Sequence, residues 1–224
     1  MTDHAAKQRI YEQFARLGKA LAAPGRLELI DLLVQGERSV DALAKEAQMS
    51  VANASQHLQV LLAAHLVETR RDAQRIHYRL AAPSVIELWL ALRRTAESQL
   101  AELPAVAREY LGDPSGFEPI ERDELARRIK AGTVVVIDVR PIEEFEQGHI
   151  AGAVSVPLDA LKSWARDDAP KRKQIVAYCR GPYCVYALNA VAELNKRGLR
   201  AARSEDGVAE WGAAGYPVES GRAT

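Results

Sequence analysis

Thiols are scarce in this chain: 224 residues hold two cysteines, Cys179 and Cys184, both in the single stretch "IVAYCRGPYCVYALN". Net charge is absent too, because 30 Lys and Arg balance 30 Asp and Glu, so only local patches can speak of charged partners. No apolar run approaches the roughly 18–20 residues that a membrane helix needs. The start, "MTDHAAKQRIYEQF", is charged and amphipathic, without the apolar core of a signal peptide. These absences lead us to expect a cytoplasmic protein without membrane partners. In a reducing compartment a permanent disulfide is disfavoured, and the cysteine pair then reads as reactive or metal-binding. A metal clip, a disulfide staple, a nucleophile with a resolving partner, and chance are the four readings open at this point. No internal repeat and no low-complexity tract is present, which sets solenoids aside.

What is present is ordinary globular material, 48% hydrophobic and 27% charged, in enough length for two cores. The hydrophobic period changes along it. From His4 to about Leu103 the pattern is nearly all helical, and from about Gly116 short β-rich runs alternate with helical ones. Between them "LPAVAREYLGDPSGFEPI" gathers Pro104, Gly112, Pro114, Gly116 and Pro119. Helix-stopping and turn residues of this kind predict a linker. We therefore expect a mostly α domain over 1–103, a linker over 104–117 and an α/β domain over 118–220.

In the first half, Ile10, Phe14, Leu17 and Leu21 recur at helical spacing, and "APGRLELIDLLVQG" opens a second helix after Pro24 and stops it at Gly36. Ser39 and Ser50 are placed as N-caps of two short consecutive helices, "VDALAKEAQ" and "VANASQHLQVLLAAH". That is a helix-turn-helix pattern. In its second helix Ala54, Leu58, Leu61 and Leu62 form an apolar stripe, and Ala52, Gln56 and Gln59 face the other way, flanked by Asn53 and Ser55. Amide side chains can donate and accept together at a base edge, and the N-terminal part of such a helix enters the major groove. "LVETRRDAQRIHYRL" then reads as two strands about an "RDAQ" turn, a wing whose Arg70, Arg71, Arg75 and Arg79 can meet phosphates. Ser50, Ala52, Asn53, Ser55, Gln56, Gln59, Arg70, Arg71 and Arg75 are the candidate contacts to double-stranded operator DNA. The helix "PSVIELWLALRRTAESQL" spreads apolar residues over more than one face, which with the first helix points to a homodimer. His57, His65 and His77 are read as structural or DNA-proximal rather than as metal ligands.

Residues about 10 to 95 resemble the ArsR family of winged-helix repressors, on "LAAPGRLELIDLL" and "SVANASQHLQVLLAAHLVETRRDAQRIHYRL". The resemblance implies a mostly α winged helix-turn-helix fold and a homodimer that leaves its operator when a metal or redox signal arrives. The sensor sites of that family are missing. The helix before the recognition helix begins "ERSVDAL", with no thiol, and no histidine lies between Pro83 and Leu103. Without thiolate or imidazole ligands at these places no metal is expected there.

In the second half "TVVVID" is a strand ending at Asp138, "PIEEFEQGH" a short helix after Pro141, "QIVAYC" a strand ending at Cys179, "VYALNAVAELNKRG" a helix, and "LRAARSED" a further strand. The alternation implies a parallel sheet covered on both faces, with ligands beyond the carboxyl ends of its strands. A loop from a strand end to a helix N-terminus turns N–H groups inward and adds the helix dipole. From this we expect a lowered pKa at Cys179, electrostatic support from Arg180, backbone freedom at Gly181 and stiffness at Pro182.

Residues about 118 to 219 resemble a single rhodanese domain, on "VVVIDVRPIEEFEQGHIAGAVSVP", "IVAYCRGPYCVYA" and "DGVAEWGAAGYPV". The resemblance implies a central parallel sheet and a nucleophile, here Cys179, that accepts sulfane sulfur as a persulfide. Its donor would be a small species such as thiosulfate, polysulfide or a persulfide, its acceptor a thiol, and no cofactor is implied. Cys179, Arg180, Gly181, Pro182, Tyr183 and Cys184 make the candidate active loop, with Asp138 and Arg140 bracing it and His149 and Gly152 structural. Related phosphatases need Arg six residues after the cysteine, where this chain has Val185. Cys184 is read either as a resolving thiol or as a small buried residue. Three functions remain open: a sulfur-responsive repressor, a sulfurtransferase whose helical half only tethers or dimerises, and a metalloregulator with a non-standard site.

Overall fold

The computed structural model describes residues 4–73, 75–112 and 119–222. The chain divides into two compact units, 1–92 and 93–224.

In the first unit, α1 (His4–Leu21) and α2 (Pro24–Val34) are followed by β1 (Arg38–Ser39), α3 (Val40–Glu46), α4 (Val51–Ala63), β2 (Val67–Asp72), β3 (Arg75–Leu80) and the start of α5 (Pro83–Gln99). Pro24 opens α2, where its missing N–H costs nothing. Ser39 Oγ accepts from Ala42 N at 3.3 Å and Ser50 Oγ from Asn53 N at 3.2 Å, so both expected N-caps hold. Between these caps Gln48 takes a positive φ of 49°, turning the chain without a glycine. The core gathers Leu29, Ile30, Leu33, Leu43, Leu58, Leu61, Leu66, Val67 and Tyr78. Each such side chain contributes about 1.5–3 kcal/mol on burial. The wing is a three-stranded antiparallel sheet of order β1-β3-β2, with Val67 opposite Leu80 and Asp72 opposite Arg75. Its first strand was not expected; two residues are too few to carry a period.

The second unit holds the end of α5, then α6 (Leu103–Leu111), β4 (Pro119–Ile120), α7 (Arg122–Lys130), β5 (Val134–Asp138), α8 (Ile142–Gln147), β6 (His149–Ile150), β7 (Val154–Ser155), α9 (Leu161–Asp167), β8 (Gln174–Tyr178), α10 (Val185–Lys196), β9 (Ala201–Ser204), α11 (Val208–Ala213) and β10 (Val218–Glu219). Helix α6 differs from the linker expected over 104–117. Pro104 falls in the first turn, where proline starts a helix, and Gly112 with a positive φ of 77° ends it. Residues 113–117 of that expected linker lie outside the described residues.

The sheet of this unit runs β4-β9-β8-β5-β7, and every pair is parallel. Strand alternation sorts its residues between two cores. Val134, Val136, Val176 and Tyr178 meet Leu125, Ile150 and Trp211 on one face. Ile137, Ile175, Ala177 and Cys179 meet Ala187, Ala190, Val191 and Leu194 of α10 on the other. The thiol after β8 is thus the last member of a buried row.

Candidate functional site

The DNA-facing candidates come from α4 and the wing. Helix α4 buries Ala54, Leu58 and Leu61 and exposes Ala52, Asn53, Gln56 and Gln59, while Ser55 and His57 are half-buried. Gly25 packs against His57; a Cβ there would lie 3.0 Å from the imidazole Nε2. Ser50 is exposed, with its hydroxyl already engaged in the cap. Gln59 Nε2 donates to the Tyr78 hydroxyl at 3.3 Å, tying the recognition helix to β3. Of the wing arginines, Arg70 donates to Glu37 through Nε at 2.9 Å and Nη2 at 2.6 Å, and Arg79 lies 2.6 Å from Glu68. The Arg70 guanidinium holds the Glu37 carboxyl below its usual range. Arg71 and Arg75 stand exposed near the hairpin tip, Arg71 with a 3.3 Å bond to the Ala73 carbonyl. Part of the wing charge is thus taken up by acids of the same unit.

In the second unit the loop 179–184 joins β8 to α10. Cys179 is 2% exposed, and its thiol points at backbone carbonyls, 3.4 Å from Cys184 O and 3.9 Å from Gly181 O. Cys184 is half-buried, caps α10 in an extended conformation, and donates its N–H to Gly181 O at 3.2 Å. Gly181 has a positive φ of 145°, and a Cβ on it would stand 3.3 Å from Glu210 Oε1. Pro182 and Tyr183 are half-buried, and the Tyr183 hydroxyl donates to Glu97 at 3.0 Å within the same unit. Burial first, then that carboxylate, pushes the phenol up to about 12.

The surroundings of the two thiols push them in the opposite directions to the expectation. Burial, followed by the neighbouring Cys184, pushes the Cys179 thiol well above its usual range, although the N–H groups of Gly181 and Ala187 work the other way. A cradle of amides exists, but desolvation outweighs it. Cys184 goes down to about 7: the hydrogen bond from Cys179 lowers it most, and the N–H groups of Arg180 and Tyr186 and the Arg180 charge add to this against burial. The dipole of α10 favours the same ionisation.

Behind the loop stands a chain of charges. Arg140, 1% exposed, bonds Asp138 through Nε at 3.0 Å and Nη2 at 2.6 Å, and donates to Gly148 O at 2.7 Å. Asp138 also accepts from the Arg140 backbone N–H at 3.0 Å. Arg180 bonds Glu144 through Nε at 3.1 Å and Nη2 at 2.5 Å, and its guanidinium lies 5.5 Å from the Tyr186 ring centre. Glu144 is itself buried and lies 4.0 Å from Arg140. Arg180 is thus held by a carboxylate of α8 instead of reaching freely toward an anionic donor. His149 stacks on Phe145 at 3.7 Å and bonds Phe145 O at 2.8 Å. Gly152 has a positive φ of 76°.

Three residues at this site went unread in the sequence. Glu144 anchors Arg180, and nothing in "PIEEFEQ" separates it from its exposed neighbour Glu143. Glu210 accepts from Gly207 N at 2.8 Å and lies over Gly181. Gly207 has no room for a side chain: a Cβ would come within 2.7 Å of Arg180 C and O and 2.8 Å of Cys179 O. The motif "DGVAEWG" was the available signal for both. Among the described residues no three His, Cys, Asp or Glu side chains gather as a metal-holding group, and no helix is long and apolar enough to cross a membrane.

Fold and site define a winged helix-turn-helix protein carrying a parallel α/β unit with a dithiol loop at a strand end. Comparison with known proteins agrees. Residues 23–69 match the bacterial regulatory protein, arsR family, and residues 121–214 match the rhodanese-like domain. The HTH-type transcriptional regulator Rv0324 of Mycobacterium tuberculosis is 43% identical over 215 residues, covering 96% of this chain and 94% of the relative. The nodulation protein NolR of Rhizobium meliloti is 45% identical over 73 residues, 33% of this chain and 60% of that one. Among solved structures, the homodimeric winged helix-turn-helix domain of Mb0332 from Mycobacterium bovis is 42% identical, covers 43% of this chain and 89% of its own, and has a TM-score of 0.41. The chain belongs to the ArsR-family HTH-type transcriptional regulators with a C-terminal rhodanese-like domain. It is a DNA-binding regulator.

Proposed function

We propose that this regulator is a homodimeric repressor whose rhodanese-like unit takes up sulfane sulfur as a persulfide on Cys179, and that the sulfur state of the loop sets its affinity for operator DNA. The observation that carries this reading is the dithiol itself. Both cysteines of a thiol-poor chain meet in one loop at the carboxyl end of a parallel strand, while the ArsR half holds no cysteine. The dimer is supported by α1, which exposes Ile10, Tyr11 and Phe14, the last at 63%. Apolar area of this extent on one helix is costly without a covering partner. The exposed amides of α4 and the tip arginines of the wing supply the base-edge and phosphate contacts.

Sulfur changes DNA binding only if it binds the two DNA-affinity states differently. The test is a titration on the gene's own upstream DNA at fixed salt, because phosphate contacts make affinity salt-dependent. Reduced protein, protein loaded with a sulfane-sulfur donor, and a Cys179→Ser variant treated alike are compared. The expected result is a change in affinity on loading that vanishes in the variant. Identical curves, with persulfide verified on Cys179, overturn the sensing function and leave a sulfurtransferase attached to a DNA-binding half.

A further inference from the structure

We infer that the second unit holds a binding site for a small organic anion, built from the buried Arg203 and the inner stripe of α6. The site goes beyond the sulfur function proposed above and does not depend on it. A cavity of about 510 Å³ lies among the C-terminal end of α5, α6, the end of β9 and α11, all parts of this unit. Its size falls within the roughly 300–1,000 Å³ usual for small-molecule sites. Neither Cys179 nor Cys184 lines it, although Pro182 and Tyr183 of the same loop do.

Two features of its walls define the ligand. The first is apolar. Leu103, Ala107 and Leu111 recur every four residues on one face of α6 and line the cavity, yet all three are only half-buried and α6 buries no residue fully. Apolar surface that a helix ordinarily packs away is thus left for an apolar group, with Ala213 and Ala214 at the end of α11 also lining the space. The second is a donor. The Arg203 side chain is 7% exposed; its Nη2 donates to Glu205 at 3.0 Å, but its Nε is buried with no hydrogen-bond partner among the described residues. A permanently charged donor without an acceptor is costly in the interior, and an oxyanion oxygen satisfies it. The carboxylates around the cavity are already engaged: Glu210 by Arg93, Asp206 by Arg122, Glu97 by Tyr183 and Glu205 by Arg203. Arg94 and Arg108, both exposed, also line it and form no ion pair among the described residues, leaving positive charge to draw an anion in. A bare inorganic ion would leave the α6 stripe uncovered, and a neutral molecule would leave the Arg203 donor unmet. A carboxylate or phosphate carried on an apolar body meets both.

The test is isothermal titration calorimetry of the full chain with benzoate and phenyl phosphate, beside inorganic phosphate and phenol as the separate halves of the second probe. At least one of the two aryl anions is expected to bind at millimolar concentration with one site per chain, at least about tenfold more tightly than inorganic phosphate or phenol. Ala107→Trp, which fills the cavity from α6, should abolish that binding. Arg203→Met, which removes the buried donor, should weaken it by at least about tenfold, the loss of one hydrogen bond to a charged group. Thermal unfolding verifies that each variant is folded; should Arg203→Met not fold, Ala107→Trp on the peripheral helix decides alone. Absence of binding by both aryl anions overturns the site. Inorganic phosphate binding as tightly as phenyl phosphate overturns the organic class of ligand, and affinity unchanged in Ala107→Trp overturns the location.

Discussion

Replacing Gly207 by alanine should displace the cysteine loop although position 207 carries no chemistry. The added Cβ would stand 2.7 Å from both C and O of Arg180 and 2.8 Å from Cys179 O. All three are backbone atoms, so no side-chain rotation relieves the clash. Ordinary carbon–oxygen contact begins near 3.3 Å, so the two segments must part by about half an ångström, and overpacking of this kind costs about 1–3 kcal/mol. In a domain of this size that lowers the unfolding midpoint by roughly 3–10 °C. The loop should also become more reactive, because the same shift loosens the carbonyls that hold the Cys179 thiol. Gly212→Ala is the control: its Cβ meets only Val218 Cγ2, at 3.4 Å, and it lies within α11, where alanine favours the helix by up to about 1 kcal/mol. The assay is thermal unfolding of the full chain followed by the rate of Cys179 alkylation. A Gly207→Ala midpoint within about 1 °C of wild type, together with an unchanged Cys179 rate, would refute the steric argument.

Other outcomes follow from the same geometry. Asp138→Ala leaves the Arg140 guanidinium buried without its main carboxylate and should cost about 3–5 kcal/mol in chemical denaturation; a loss below about 1 kcal/mol would mean that Glu144 and the Gly148 carbonyl suffice. The alkylation rate of Cys184 should rise with pH through a midpoint near 7, since its folded pKa is depressed and the thiolate accumulates above it. Removing the Cys179 hydrogen-bond donor, in Cys179→Ala, should move that midpoint toward the usual thiol value of about 8.5; an unmoved midpoint would assign the shift to Arg180 and the helix end. Arg75→Ala, at the hairpin tip, should weaken binding to all DNA alike and reduce the salt-dependence slope by about one. Gln56→Ala should instead erode discrimination between operator and unrelated DNA, and the two variants are separated by repeating the titration on both.

Much of the fold was legible because its signals are local. Ser39 and Ser50 cap the helices they were expected to cap, and the wing strands fall on "LVETR" and "RIHYRL", the segments rich in strand formers. The strand-end position of Cys179 followed from apolar runs that recur with helices between them. Helix α6 was missed because Pro104 was weighed as a stop, although in a first turn it is a start. The short strand β1 and the role of Glu144 were invisible for a different reason. Two residues carry no period, and adjacent glutamates in one short helix differ only in which of them the fold turns inward.

The order of residues alone settled the two-part architecture, the helix-turn-helix with its polar outer face, the parallel α/β alternation, and the meeting of both thiols in one loop. Each follows from spacing along the chain, the scale on which periodicity, caps and strand ends are written. Which thiol is acidic was decided only in three dimensions. From the sequence, a loop of inward N–H groups predicted a thiolate at Cys179; in the structure that sulfur completes the row of Ile175 and Ala177 against α10, and its burial overrides the amides. The groups that lower a thiol pKa instead converge five residues on, at Cys184 at the helix end. Desolvation depends on everything packed around an atom, most of it distant in sequence, and so no reading of neighbours along the chain can supply it.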